Sequence, residues 1–237
     1  MELVGVGHGT TAHDWQKWNQ WAKDLDIADW HVLDTSDNVE VSAANNLHQI
    51  PNTSFEFGAY AAARDYVRGS GPYLLVNDTL FKTHVPTLWR KVLRQALGKP
   101  WTAGIIGDAT PSPNKQIPEI PHPYYSSWIF LIKDRGHLDR FCTCVEAAIK
   151  QPPTPPSPLY KRFLKQWLEP KSKWYGWHGP KDVHSLQRKR QTIAWEHTLS
   201  HALAAHEIVS FSLLSAWHLP TQWADKFRRH WASFAKS

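Results

Sequence analysis

Residues 73–81 read YLLVNDTLF: a short run of apolar side chains that breaks off at Asn77-Asp78. So short and wholly apolar a run, Tyr73–Val76, has the pattern of a strand buried on both faces, as in a parallel sheet covered by helices. Upstream, Gly69-Ser70-Gly71-Pro72 stops a helix predicted over Phe57–Val67, where Ala59, Ala62, Ala63, Tyr66 and Val67 form one stripe. Downstream, Pro86 fits the first turn of a helix running to Leu97.

The same alternation extends in both directions. Glu2–Val6 reads as a first strand, Asp14–Leu25 as an amphipathic helix and Trp30–Leu33 as a second strand. Trp101–Ile106 and Ser127–Ile132 supply two more strands, and Gly136–Lys150 another helix. Beyond the proline cluster Gln151–Pro158 lie Tyr160–Leu168, a helix over about Leu186–Ala205, an apolar run Ile208–Leu214 and a basic closing helix. Strands alternating with helices predict an α/β fold: an open, mostly parallel sheet with flanking helices and a helical, basic C-terminal part. We expect residues 1–150 to form the α/β core. Residues 159–237 would complete the same domain across the proline-rich linker 151–158.

The chain has 237 residues, enough to bury roughly 70–75% of its unfolded surface without disulfides. No apolar run approaches the roughly 20 residues of a membrane helix. The start, MELVGVGHGTT, lacks the basic and apolar regions of a secretory leader. Cys142 and Cys144 stand too close for an ordinary scaffold disulfide, and residues two apart on a helix do not face each other, so they read as packing. A cytoplasmic location is therefore expected. The formal net charge of +6 is uneven: residues 159–237 carry 13 basic and 5 acidic side chains, whereas the remainder is slightly acidic. Such a surface attracts phosphate, on a nucleotide, a nucleic acid or an anionic membrane. No nucleic-acid module is recognisable, so the expectation is no nucleic-acid partner.

In an open parallel sheet, ligands bind beyond the carboxyl ends of the strands. That rule selects His8, Asp34–Asp37, Asn77-Asp78 and Gly107-Asp108. A carboxylate such as Asp78 at that edge suits Mg²⁺ or Mn²⁺, which take one or two protein carboxylates plus substrate phosphates; a turn-forming Asx is the alternative. GVGHG lacks the third glycine of a dinucleotide loop. His197 and His201 have chelating spacing but no third ligand in the sequence, and packing is the simpler reading.

Four segments carry a resemblance. Asn52–Tyr60 (NTSFEFGAY), Tyr73–Phe81 (YLLVNDTLF), Tyr124–Ile132 (YYSSWIFLI) and Trp195–Leu203 (WEHTLSHAL) look, in order, like signature segments of the rhamnan synthesis protein F-type glycosyltransferases. Tyr124 stands where that family usually has His, and Ser126 where it often has Gln. The resemblance implies a GT-A-type glycosyltransferase, hexosyl- or deoxyhexosyl-, that uses a nucleotide-diphosphate sugar. It further implies a glycan or lipid-linked acceptor and a role in bacterial surface polysaccharide or lipopolysaccharide biosynthesis, with peripheral contact at the inner membrane face.

On this reading Asp78 holds metal or diphosphate with Asn77 orienting it. Asn52, Glu56, Gly58, His8 and Gly9 would also contact the donor, Gly58 by allowing close backbone approach. Helix capping is the alternative for Asn52 and Glu56, and an ordinary turn for His8 and Gly9. The base that takes the acceptor's proton is Asp108, with Glu196 as rival. Tyr124, Ser127 and Trp177 would face the acceptor, Trp177 from an aromatic loop, Trp174–Pro180, that could equally tuck its rings into the core. Lys171, Lys173, Arg188 and Arg190 are candidates to meet the diphosphate. The other readings are a non-catalytic polyanion- or nucleic-acid-binding protein and a sugar-binding protein without turnover.

Overall fold

The first strand, β1 (Glu2–Gly7), is buried along its whole length and pairs on both sides with parallel neighbours. The computed structural model describes residues 1–36, 45–110, 116–150, 156–170, 176–177 and 179–234. After β1 come α1 (Ala12–Asp24), β2 (Asp29–Asp34), β3 (Leu47–Gln49), α2 (Phe55–Tyr66) and β4 (Tyr73–Asn77). They are followed by α3 (Thr79–Lys82), α4 (Pro86–Leu97), β5 (Ile105–Thr110), β6 (Tyr124–Ile132) and α5 (Arg135–Lys150). The chain closes with α6 (Pro158–Leu168), α7 (Val183–Ala204), β7 (Ile208–Ser210), a 3-10 turn and α8 (His218–Phe234).

The seven strands form one sheet in the order β3-β2-β1-β4-β6-β5-β7, with β6 antiparallel to both neighbours and every other pairing parallel. This is the expected α/β class. Helices α2, α5 and α7 cover one face over a core of Phe57, Tyr60, Phe130, Phe141 and Trp195. On the other face Trp18, Trp89, Trp128 and Phe211 pack with Leu74 and Val76. Each such fully buried apolar side chain contributes about 1.5–3 kcal/mol relative to exposure.

Local chemistry explains the element ends. Thr11 caps α1 in a box with Asp14, Ser157 caps α6 and Asp182 caps α7. One expected strand needs correcting, and three features go beyond the sequence reading. The strand predicted at Trp101–Ile106 begins only at Ile105 and runs to Thr110, because its register with β6 starts there and Trp101 packs sideways against the second core. Residues 47–49 form an edge strand too short to leave a period-2 signal. The apolar SWIFLI run belongs to the reversed strand, and a buried strand looks the same in either direction. The run Ile208–Leu214 divides into β7, which joins the sheet beside β5, and the 3-10 turn Phe211–Leu213. Of the proline-rich segment, residues 151–155 lie outside the described residues.

Candidate functional site

From β1 the chain winds through β2 to β3 on one side, then crosses to β4 on the other side of β1. The winding reverses at β1/β4, and the crevice beyond the carboxyl ends of those two strands is the default ligand position of such a sheet. Val6 pairs with Asn77 in the ladder, and Asp78 N donates to Val6 O at 2.9 Å, so Asn77-Asp78 leaves the sheet at that crevice.

The β1 side is shaped by Asp34, fully buried at the end of β2. Its carboxylate accepts from Gly9 N (3.2 Å), Thr10 N (2.6 Å) and both Ser36 N (2.8 Å) and Ser36 Oγ (2.5 Å). Burial pushes the Asp34 carboxyl up, but these donors more than offset it and hold it below the usual carboxylate range. Gly7 is required here, since a Cβ would lie 2.3 Å from Thr10 Oγ1, and Gly9 takes the left-handed φ of +69° that glycine adopts without strain. His8 is exposed on this loop, its Nδ1 3.1 Å from Thr35 Oγ1.

The β4 side is built with α2 and α7. Glu56 and Tyr60, four apart on α2, share one helix face. The Tyr60 hydroxyl is buried without a hydrogen-bond partner, and Asn77 nearby uses its Oδ1 to accept from Thr79 N at 3.0 Å, as a turn-forming Asx does. Burial pushes this hydroxyl's pKa well above the usual tyrosine value, and the charges of Glu56, Asp78 and Glu196 push it further. Glu196, half-buried on α7, accepts from Ser127 N at 2.6 Å. Burial raises its carboxyl above the usual range and the charge of Glu56 adds to this, against the pull of Lys189 and Ser127. The charges of Glu56, Asp78 and Glu196 thus all act on one unpartnered hydroxyl.

Asn52, at the entrance to α2, also has a buried and unpartnered atom, Oδ1. The helix-capping alternative does not hold for it: the N-cap is Ser54, whose side chain makes no capping bond. The first residue of α2, Phe55, is held at φ +53°, a conformation costly for a non-glycine residue. Its ring lies 4.0 Å from Arg188 Cζ and 6.1 Å from the Trp195 ring, which fixes the helix entrance between β3 and α7. Lys82 Nζ lies 2.6 Å from Asp78 Oδ2.

Other expected residues lie elsewhere. Asp108 sits within β5, not after it, and is buried. It accepts from Trp128 Nε1 (2.9 Å), His218 Nε2 (2.8 Å) and Gln222 Nε2 (2.7 Å), which ties both its oxygens to the protein. Gly58, two residues from both Glu56 and Tyr60, lies on the opposite side of α2; a Cβ there would make only ordinary contacts, so no close backbone approach requires glycine. Tyr124 packs edge-on against His197 with ring centroids 5.1 Å apart, and Ser127 contributes its backbone N–H to Glu196. Trp177 packs partly buried against the small core of α6 and α7, so this ring is tucked in, and its backbone N–H donates to Trp167 O at 2.7 Å. Residues 171–175 and 178, with Lys171 and Lys173, lie outside the described residues.

His197 serves packing: it is buried, its Nδ1 meets the Tyr160 hydroxyl at 2.8 Å, and burial lowers its pKa to about 3. Burial also pushes the Cys142 thiol up to about 12, that of an inert core residue. Among the described residues no group of three or more His, Cys, Asp or Glu side chains is placed to hold a metal. The one carboxylate expected to do so, Asp78, already has a cation against it in Lys82.

Sequence reasoning overlooked Tyr60 and Lys82. The signal was present in both cases, as i, i+4 spacing to Glu56 and to Asp78.

No family model and no curated protein matches the sequence. Among solved structures, the chain is similar to the bifunctional IspDF from Campylobacter jejuni at 9% identity and a TM-score of 0.41. That match covers 63% of this chain and 47% of the other, so this chain spans about half the length of that protein. It is also similar to the galactosyltransferase LgtC, in a complex with donor and acceptor sugar analogues, at 8% identity and a TM-score of 0.40, over 97% of this chain and 83% of the other. Neither is a rhamnan synthesis protein, and that resemblance rests on the four segments quoted above.

Proposed function

We propose that the protein is a GT-A-like glycosyltransferase that moves a sugar from a nucleotide-diphosphate donor to a glycan or lipid-linked acceptor. The observation that carries this reading is the buried, unpartnered Tyr60 hydroxyl, which feels the charges of Glu56, Asp78 and Glu196 near the switch point of a mostly parallel sheet. A buried hydroxyl without a partner costs about 1–3 kcal/mol, a cost relieved when a polar ligand supplies the missing bond. A sugar, which carries a hydroxyl on most of its carbons, is such a ligand. The exposed loop His8-Gly9 lies at the other wall of the crevice, in position for the nucleotide.

In the transfer, the bond between the anomeric carbon and the diphosphate oxygen breaks, and a bond from the acceptor oxygen to that carbon forms. The acceptor's proton goes to Glu196, whose carboxyl burial raises above its ordinary value, making it the stronger base. The departing diphosphate carries the negative charge, which Lys82 at Asp78 is placed to meet, with Arg188 at the α2 entrance as a second cation. No step is routed through a metal. Asp108, saturated by its own partners, holds α8 to the sheet instead.

Thermal denaturation in the presence of uridine, guanosine, adenosine, cytidine and thymidine diphosphates tests the reading. One nucleotide at 100 times its Kd should stabilise the protein by about 2.7 kcal/mol, with and without a chelator. No shift with any of them overturns it.

A further inference from the structure

Helix α8 is amphipathic the wrong way round. The face it turns to the protein is polar: His218 and Gln222 bond Asp108, and Asp225 accepts from His84 Nδ1 (2.7 Å), Val85 N (2.7 Å) and Trp89 Nε1 (2.8 Å). Arg228 donates to His84 O from the same helix. The opposite face carries Leu219, Trp223, Phe227 and Trp231, which are 59%, 68%, 73% and 75% exposed. They recur every four residues and form one stripe along the helix. Leu213, just ahead of α8, adds to the same exposed apolar surface. A helix at the surface of a globular protein normally buries its apolar stripe and wets its polar one. Here evolution has built a buried polar network to hold the reverse orientation, so the stripe has a use outside the chain.

The charges beside the stripe narrow the occupant. Lys226 lies over the Trp223 ring at 5.9 Å and Arg229 is exposed. Past Glu207 the only acidic residue is Asp225, and it is buried against α4. An apolar face rich in Trp and Phe, bordered by cations and free of exposed acids, matches a bilayer interface with anionic headgroups. Tryptophan in particular settles at the depth of the headgroups. No described helix is long and apolar enough to cross a membrane, so the contact is one of lying on the surface.

We infer that the protein docks on an anionic lipid bilayer through the outer face of α8, with Leu219, Trp223, Phe227 and Trp231 entering the interface and Lys226 and Arg229 at the headgroups. This goes beyond the transferase reading and does not depend on it.

The test is co-sedimentation of the full chain with vesicles of phosphatidylcholine alone and of phosphatidylcholine with 30% phosphatidylglycerol (about a third of headgroups anionic). Tryptophan emission is followed in parallel. Binding to the anionic vesicles should be at least tenfold tighter, blue-shift the emission and weaken as salt is raised. The triple variant Trp223→Ser, Phe227→Ser, Trp231→Ser, checked for an unchanged circular dichroism spectrum, should lose binding and keep any thermal shift by nucleotide. Lys226→Glu with Arg229→Glu should lose the preference for anionic vesicles. Absence of binding by the wild type, equal binding by the triple variant, or a wild-type dimer that the triple variant abolishes without any vesicle binding would each overturn the inference.

Discussion

Two clusters of carboxylates in this molecule look alike in sequence and differ in completeness. Under α8, Asp108 and Asp225 are buried and each accepts three hydrogen bonds from side chains or backbone of neighbouring elements. On the β4 side of the crevice, the charges of Glu56, Asp78 and Glu196 act on the Tyr60 hydroxyl, which has no partner, and at the entrance to the same helix Asn52 Oδ1 has none either. The two carboxylates of the first cluster have each spent three acceptor positions on the protein, although His218 Nδ1 and Thr221 Oγ1 of the same helix are also buried without partners. The second has kept some back, which is what a site for a polar ligand requires. A buried carboxylate therefore signals function by the donors it lacks, not by its burial or its position after a strand.

The largest test of this contrast is Glu196→Gln. Removing a general base costs roughly 10²–10⁴-fold in turnover, read as release of nucleoside diphosphate from the donor sugar. Asp108→Asn should leave turnover within a few-fold once the protein is folded, and equal losses in both variants would erase the distinction. Next in size is Asp225→Ala, which strands His84, Val85 N and Trp89 Nε1 in a buried site. It should lower stability by about 3 kcal/mol or more in denaturant unfolding, and release α8 from the sheet.

The pH dependence sharpens the same contrast. The Glu196 carboxyl is raised above its ordinary 4.5, so the folded protein holds that proton more tightly than the unfolded chain. Stability from this group rises as pH falls through its folded value and is fully gained below 4.5. The Gln variant should lose this component while the rest of the profile stays. The smallest effect is expected of Tyr60→Phe. Deleting a hydroxyl that has no partner should leave the ligand-free protein within about 1 kcal/mol of wild type, and the ligand's stabilisation should shrink.

Much of the fold was legible. The buried run Tyr73–Val76 and its neighbours gave a mostly parallel sheet because parallel strands read as continuous apolar runs. The helices showed their stripes and their proline and glycine ends. The direction of β6 was not legible, because Ser127–Ile132 is equally apolar read either way. Nor was β3, whose three residues are too few to show a period. In the site, Asn77-Asp78 was visible as a carboxylate leaving a strand. Asp108 looked equivalent only because its strand was placed four residues early, and the donors that saturate it come from Trp128, His218 and Gln222, from 20 to 114 residues away in sequence. The reversed polarity of α8 was hidden for the same reason: the sequence shows two faces, and only the tertiary partners of Asp108 and Asp225 decide which one is inside.

Hydrogen exchange across the whole chain, with and without the nucleoside diphosphate that gives the largest thermal shift, addresses the central claim most directly, since protection reports where local opening is suppressed. Protection concentrated in residues 7–10, 52–60 and 76–82 is the predicted result. Protection confined to residues 105–110 and 218–228, with the β1/β4 crevice unchanged, would contradict it.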